Sequence, residues 1–271
     1  GAAALPAAAL FFAHLRRSGA DLARVRGSFG TDPLADALAG ATLPLEAAYD
    51  RLAALTAWLE AQTRPGDYRA RSLVAWGARW HEAGANAAQE LAYTLGSAVQ
   101  TLREMEARGL SPEIAATRLL FGFAVGPRFL VELAKLRAAR MLWARVCEAC
   151  GFENPPASMW IHARTGARHL SALDPHTNLL RATTESLSAV LGGCDSLTVL
   201  PYDAPLGLPS PRARRLARNT QLILRDEARF DLVIDAAGGA HAVEALTDRL
   251  AEQAWTVFRR IEEQGGMRRF L

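Results

Sequence analysis

Apolar and polar positions along the chain follow two different periods. Short, nearly unbroken apolar runs of strand length stand at residues 23–30 (ARVRGSFG), 71–77 (RSLVAWG), 117–125 (TRLLFGFAV), 157–163 (ASMWIHA) and 195–200 (DSLTVL). Such runs fit strands buried on both faces. Between them the apolar positions recur with the helical period, which predicts helices over 33–38, 45–62, 87–108, 126–150 and 178–191, with one more over 5–17 ahead of the first strand.

Strands that rotate strictly with helices pair in parallel through right-handed crossovers, so the pattern is that of an α/β fold, either an open doubly wound sheet or a barrel. A dinucleotide-binding sheet needs a G-x-G-x-x-G turn after its first strand, and RGSFGTD (26–32) does not supply one. Spacing of roughly 40 residues per unit suits a (β/α)8 TIM-type barrel with elaborated loops. Five strands are legible, and a barrel of eight needs three more. Beyond Asp203 proline punctuates LPYDAPLGLPSP (200–211), a basic helix follows in RARRLARNTQLILRDEA (212–228), and further helical stretches surround the turn DAAGGAHAVEAL (235–246). The expected organisation is therefore a partial barrel over 1–230 and a C-terminal helical extension over 231–271.

Composition narrows the classes. Half of the 271 residues are apolar, enough for a sizeable core. The 31 basic and 28 acidic residues leave a net charge of +3, spread along helices without interleaved aromatics, so nucleic acid is not expected as a partner. The alanine-rich opening breaks at Pro6 and ends in His14, Arg16 and Arg17, which reads as neither a membrane span nor a secretory leader. A cytoplasmic protein is expected, and the start at Gly1 without a methionine reads as a piece of something longer. Cys147 and Cys150 form a C-x-x-C on a helical pattern, where packing thiols are the expectation. Lys135 is the only lysine. His81, beside Glu82 and ahead of a helix, is the first residue to suggest acid–base chemistry.

Three stretches go beyond a generic α/β pattern: HEAGANAAQELAYTL (81–95), FAVGPRFLVELAKLRAARMLWARV (123–146) and RRLARNTQLILRDE (214–227). Together they closely resemble the substrate-binding barrel of the methylmalonyl-CoA mutase family, adenosylcobalamin-dependent isomerases. The run from Glu132 through Lys135 and Arg137 to Arg140 is the densest part of the match. The resemblance extends from Gly1 to about Met267. It implies the last five-eighths of the barrel and the start of the following linker, without the cobalamin-binding domain. DPHTNL (174–179) offers a D-x-H, but no glycine follows it, and Asp174 is read there as a helix cap.

In that family a cobalt–carbon bond is broken to make an adenosyl radical, and the protein places and polarises an acyl-CoA whose arm threads the barrel. The resemblance also says where the polar groups should stand. The family's carbonyl-polarising histidine follows a Gly-Tyr at the end of the fifth strand. Gly77 aligns with that glycine, Ala78 with the tyrosine and Arg79 with the histidine. His81 is two positions out of register, about 6–7 Å along an extended chain, too far for the same hydrogen bond. The segment of the carboxylate-clamping arginine reads DALAGATL (36–43), with no base. The T-x-Q-N-D signature becomes SFGTD (28–32), and the sixth strand's R-L-S-F-F becomes Arg118-Leu119-Leu120-Phe121-Gly122. The seventh strand's H-S-Q becomes His162-Ala163-Arg164. The eighth reads Asp195-Ser196-Leu197-Thr198-Val199-Leu200 with Asp203-Ala204, losing the ribose-holding glutamate.

Losing all three contacts is incompatible with an efficient mutase, because each is typically worth a few kcal/mol. Strand alternation also turns Trp160 and Leu120 toward the axis. The resemblance thus implies the family's non-catalytic small subunit, which stabilises a homologous catalytic large subunit as a heterodimer, with a homo-oligomer as the other assembly. No catalytic, cofactor-binding or metal-binding residue is assigned to this chain, and adenosylcobalamin belongs to the family complex. Candidates along a residual CoA path are Arg118, His162, Arg164 and Arg79. A divergent but active acyl-CoA mutase using Arg79, His162 and Arg164, or a pseudo-enzyme that still binds CoA, are the other readings. His81 is expected to be structural.

Overall fold

A computed structural model describes residues 4–21, 25–62, 70–152 and 159–271. In chain order the elements are α1 (Ala4–Arg17), β1 (Gly27–Ser28), α2 (Pro33–Leu38), α3 (Leu45–Gln62), β2 (Ala70–Arg71), β3 (Leu73–Trp76), α4 (Gly77–Glu82), α5 (Ala87–Glu106), α6 (Pro112–Thr117), β4 (Leu119–Val125), α7 (Phe129–Ala149), β5 (Trp160–Thr165), α8 (Asn178–Leu191), β6 (Ser196–Thr198), α9 (Pro211–Leu222), α10 (His241–Glu263) and α11 (Met267–Phe270). All strand pairs are parallel: β3-β4-β5-β6 form one sheet in that order, and β1 pairs with β2, which runs through Ser72 into β3. The chain is therefore an α/β fold with parallel sheets, as the alternation of strand and helix predicts.

The two faces of the sheet do different work. β4 (LLFGFAV) is buried along its whole length. β5 alternates: Ile161, Ala163 and Thr165 are buried while Trp160, His162 and Arg164 are partly open. The buried set joins Ala75, Phe121 and Phe123 under Leu91, Leu95, Leu136 and Ala139 of α5 and α7 to make the main core. The other face carries Val74, Trp76, Leu120, Trp160 and His162 toward an open concavity. Gly122 is required there, since a Cβ at that position would stand 2.1 Å from the Trp76 ring. α10 lies on α5 and α7, and its Leu250, Ala254, Phe258 and Ile261 enter the same core.

Several boundaries differ from the sequence pattern. The run at 71–77 is interrupted at Ser72 and yields helix α4 from Gly77, and the strand expected over 157–163 begins at Trp160 and takes in Arg164 and Thr165. Residues 157 and 158, like 23 and 24 of the first expected strand, lie outside the described residues; among the described ones β1 is confined to Gly27–Ser28. Two helices between the expected elements went unpredicted, α4 and α6, each six residues long. Among the described residues no helix is long and apolar enough to cross a membrane.

Candidate functional site

A cavity of about 840 Å3 opens on the concave face of the sheet. Its walls mix aromatic and cationic groups: Trp76 and Trp160 from the strands, with Arg26, Arg71, Arg79 and His162 around them. Arg71 lies in β2 with its guanidinium 4.2 Å from the centre of the Trp160 ring. Burial pushes its pKa down to about 10, with nearby Asp195 opposing and Arg118 adding to the shift, so it stays charged at neutral pH. His162 Nδ1 and Ser196 Oγ are 2.8 Å apart, its Nε2 stands 3.2 Å from Thr198 Oγ1, and its ring stacks on Trp76 with centroids 5.9 Å apart. Burial, and then Arg164, lower the pKa of this imidazole. Both ring nitrogens thus face hydroxyls, so the ring reads as a neutral cavity wall.

The wall nearest α2 is set by one carboxylate. Asp32 caps α2, accepting the N–H groups of Leu34 and Ala35 at 3.1 Å each, and its other oxygen accepts Trp76 N–H at 2.8 Å. Complete burial lifts its pKa to about 6 even against those three donors. It ties the segment before α2 to the end of β3.

The four candidate residues part company. Arg79, on α4, and His162 both line the cavity, and Arg79 is exposed. Arg164 points from the same face of β5 as His162 and pairs with Glu82 of α4 at 3.3 Å. Arg118 is wholly buried just before β4, at the opposite end of the strands, where it bonds Glu60 and donates to the Ala70 carbonyl (2.7 Å). It is not among the residues that line the cavity. Arg71 and Arg26 occupy the wall instead. Sequence reasoning passed over both because each sits in a run read as plain buried strand; a charged residue within such a run was the available signal.

His81 turns away from the cavity. It is 4% exposed, and its Nδ1 lies 3.4 Å from Glu90 Oε2. Glu90 accepts Ala124 N–H (2.8 Å) and Lys135 Nζ (2.7 Å), while Lys135 also donates to Ala124 O (2.7 Å) and lies 2.5 Å from Glu132. Burial alone would raise the pKa of Glu90, but Lys135 and His81 hold it below the usual range. Burial would lower that of Lys135, but Glu132 and Glu90 raise it. Asp174 accepts the Thr177 hydroxyl in the turn before α8, and His176 stacks on Tyr202 at 5.1 Å. Among the described residues no group of three or more His, Cys, Asp or Glu side chains could hold a metal ion. Cys147 is buried and unbonded, its thiol pushed up to about 12 by burial and by Cys150.

The methylmalonyl-CoA mutase family model matches residues 1–271. The chain is 44% identical over 243 residues to a methylmalonyl-CoA mutase small subunit of Streptomyces virginiae, an alignment covering 89% of this chain and 38% of that protein. It is 36% identical to the corresponding small subunit of Porphyromonas gingivalis, over 94% of this chain and 41% of the relative. A methylmalonyl-CoA mutase of Escherichia coli is 32% identical over 98% of this chain and 37% of its own length. The chain thus spans about two fifths of the length of these relatives.

Proposed function

The chain belongs to the methylmalonyl-CoA mutase family, and from that premise we propose that it is barrel-domain sequence of a non-catalytic small subunit that stabilises a catalytic large subunit in a heterodimer. One observation carries this reading: the group presented to the cavity after β3 is the exposed guanidinium of Arg79, while the nearest imidazole of that segment, His81, is buried against Glu90. A guanidinium stays protonated at any working pH, so it can attract an anion but cannot pass a proton to or from a migrating group. The names of the Streptomyces and Porphyromonas relatives support the subunit assignment.

In this reading residues 1–230 form part of a (β/α)8 barrel whose closure needs three strands beyond those described, and residues 231–271 form an extension on its outer face. The protein is placed in the cytoplasm, without nucleic acid or membrane among its partners. Adenosylcobalamin is assigned to the partner subunit. The D-x-H segment lacks a following glycine, and its imidazole, His176, stacks on Tyr202.

Co-expression of the native small subunit with its large homologue tests the proposal. The two are expected to co-purify, the large subunit to lose activity on heating faster when alone, and the small subunit to give no turnover of methylmalonyl-CoA with added adenosylcobalamin. Turnover by the small subunit, or a large subunit equally stable and active without it, overturns the reading.

A second reading has its own support in the cluster of Arg26, Arg71 and Arg79 beside two indoles, a surface suited to phosphate and to a flat ring. If the cavity still takes CoA, calorimetry gives a saturable heat, and Arg71→Met weakens binding by about tenfold, the worth of one charge-assisted contact. No heat at millimolar CoA ends that reading.

A further inference from the structure

At the end of the strands where α4 begins stands a cluster that the cavity does not use. Four contacts tie α4 to the end of β5 and the segment that follows it. Glu82 Oε1 accepts the N–H of Ala167 (2.9 Å) and the guanidinium of Arg164 (3.3 Å), and Arg168 donates to the His81 carbonyl (3.0 Å). The fourth contact is between rings: His81 and His169 meet edge to face, centroids 5.6 Å apart at 71°. Two glycines make room for them. A Cβ on Gly126 would stand 3.1 Å from His169 Nε2, and one on Gly166 3.3 Å from His81 Nε2. That His81 nitrogen is buried with no hydrogen-bond partner among the described residues, so nothing but ring packing engages this edge.

We propose that this is a proton-operated strap: protonation of the His81–His169 pair drives the two rings apart and releases residues 166–170 from α4, loosening the cavity rim on which Arg79 stands. The charges around the pair make the device specific. α5 brings Glu90 and α7 brings Glu132, but Lys135 is shared between those two carboxylates. Glu82 of α4 is engaged by Arg164 of β5, and α8 contributes Arg181 with Glu185, whose carboxyl burial keeps protonated in neutral and acid solution. With both rings charged, two imidazolium groups would stand in contact with each other and with the field of Arg168, while Glu90 lies beside His81 alone, and like charges at this separation in a partly dry site repel strongly. Burial, followed by His81 and Arg168, keeps His169 below the ordinary histidine range against the opposing pull of Glu132 and Glu82. The strap therefore stays closed at neutral pH and opens in mild acid. The inference rests on the strap alone and is independent of what the cavity binds or which subunit does chemistry.

Amide hydrogen exchange on the full chain tests it, comparing about pH 7.5 with about pH 5.5 after correction for intrinsic exchange. Protection over residues 77–86 and 164–172 is expected to fall about tenfold in acid while that of α10 holds. His169→Gln, neutral at both pH values, is expected to keep the two segments protected, and His81→Gln serves if that variant folds poorly. Unchanged protection in the native chain overturns the proposal, as does the same loss in the glutamine variants.

Discussion

Lys135→Met is expected to destabilise the fold by about 3–5 kcal/mol, the usual cost of removing one member of a buried charge network. Lys135 is wholly buried and answers two carboxylates, Glu90 and Glu132, which are themselves almost or entirely inaccessible. Without its ammonium they become two anions in the core between α5 and α7. The Ala124 carbonyl also loses its Lys135 donor at the end of β4. Methionine matches the volume, so a cavity contributes little and the loss reports charge. Urea unfolding checks it: the midpoint should drop steeply with the slope unchanged. Adding Glu90→Gln should recover part of the loss, because the second change removes one of the stranded charges. A Lys135→Met chain as stable as the parent would mean that the network is not a structural element.

That network shows what periodicity could and could not disclose. Helices α3 and α8 were legible to the residue, because long stretches with one apolar stripe fix both their period and their ends. The helix around Lys135 was also legible, yet nothing in its apolar period marked that lysine as buried. The apolar period does not say which polar residue turns inward, and the partners of Lys135 lie on α5, forty-five residues away, and at the end of β4. The cavity was half legible for the same reason. Trp160 and Leu120 follow from strand alternation, and both line it. Arg71 escaped because the break at Ser72 shifts the alternation between β2 and β3, while Arg118 looked like a lining residue until Glu60 and Ala70 claimed it at the far end of the strands. Arg79 and His81 illustrate the limit most sharply: α4 turns residues two apart to different sides, whereas an extended reading keeps them on one face.

Glu185→Gln is expected to stabilise the protein, by an amount that grows with pH. Glu185 of α8 is 1% exposed, and neither carboxyl oxygen has a hydrogen-bond partner among the described residues, the neighbouring Gly166 N–H being donated to Val125 O (2.8 Å). Burial is the chief cause that lifts its pKa from 4.5 to about 8, opposed first by the nearby Gly166 N–H and then by Arg181, with Glu132 and Glu82 adding to the rise. A carboxyl whose folded pKa is raised binds more protons in the native than in the unfolded chain between those two values, so its contribution to stability falls as pH rises from 4.5 to 8. The accumulated penalty approaches about 4–5 kcal/mol at the upper end, at 1.36 kcal/mol per pH unit. Glutamine keeps the shape and never ionises. The two proteins should therefore unfold at similar urea concentrations near pH 4, separate steadily above it, and differ most near pH 8. If the separation were constant across that range, the gain would come from packing or hydrogen bonding, and Glu185 would be ionised in the native state at neutral pH.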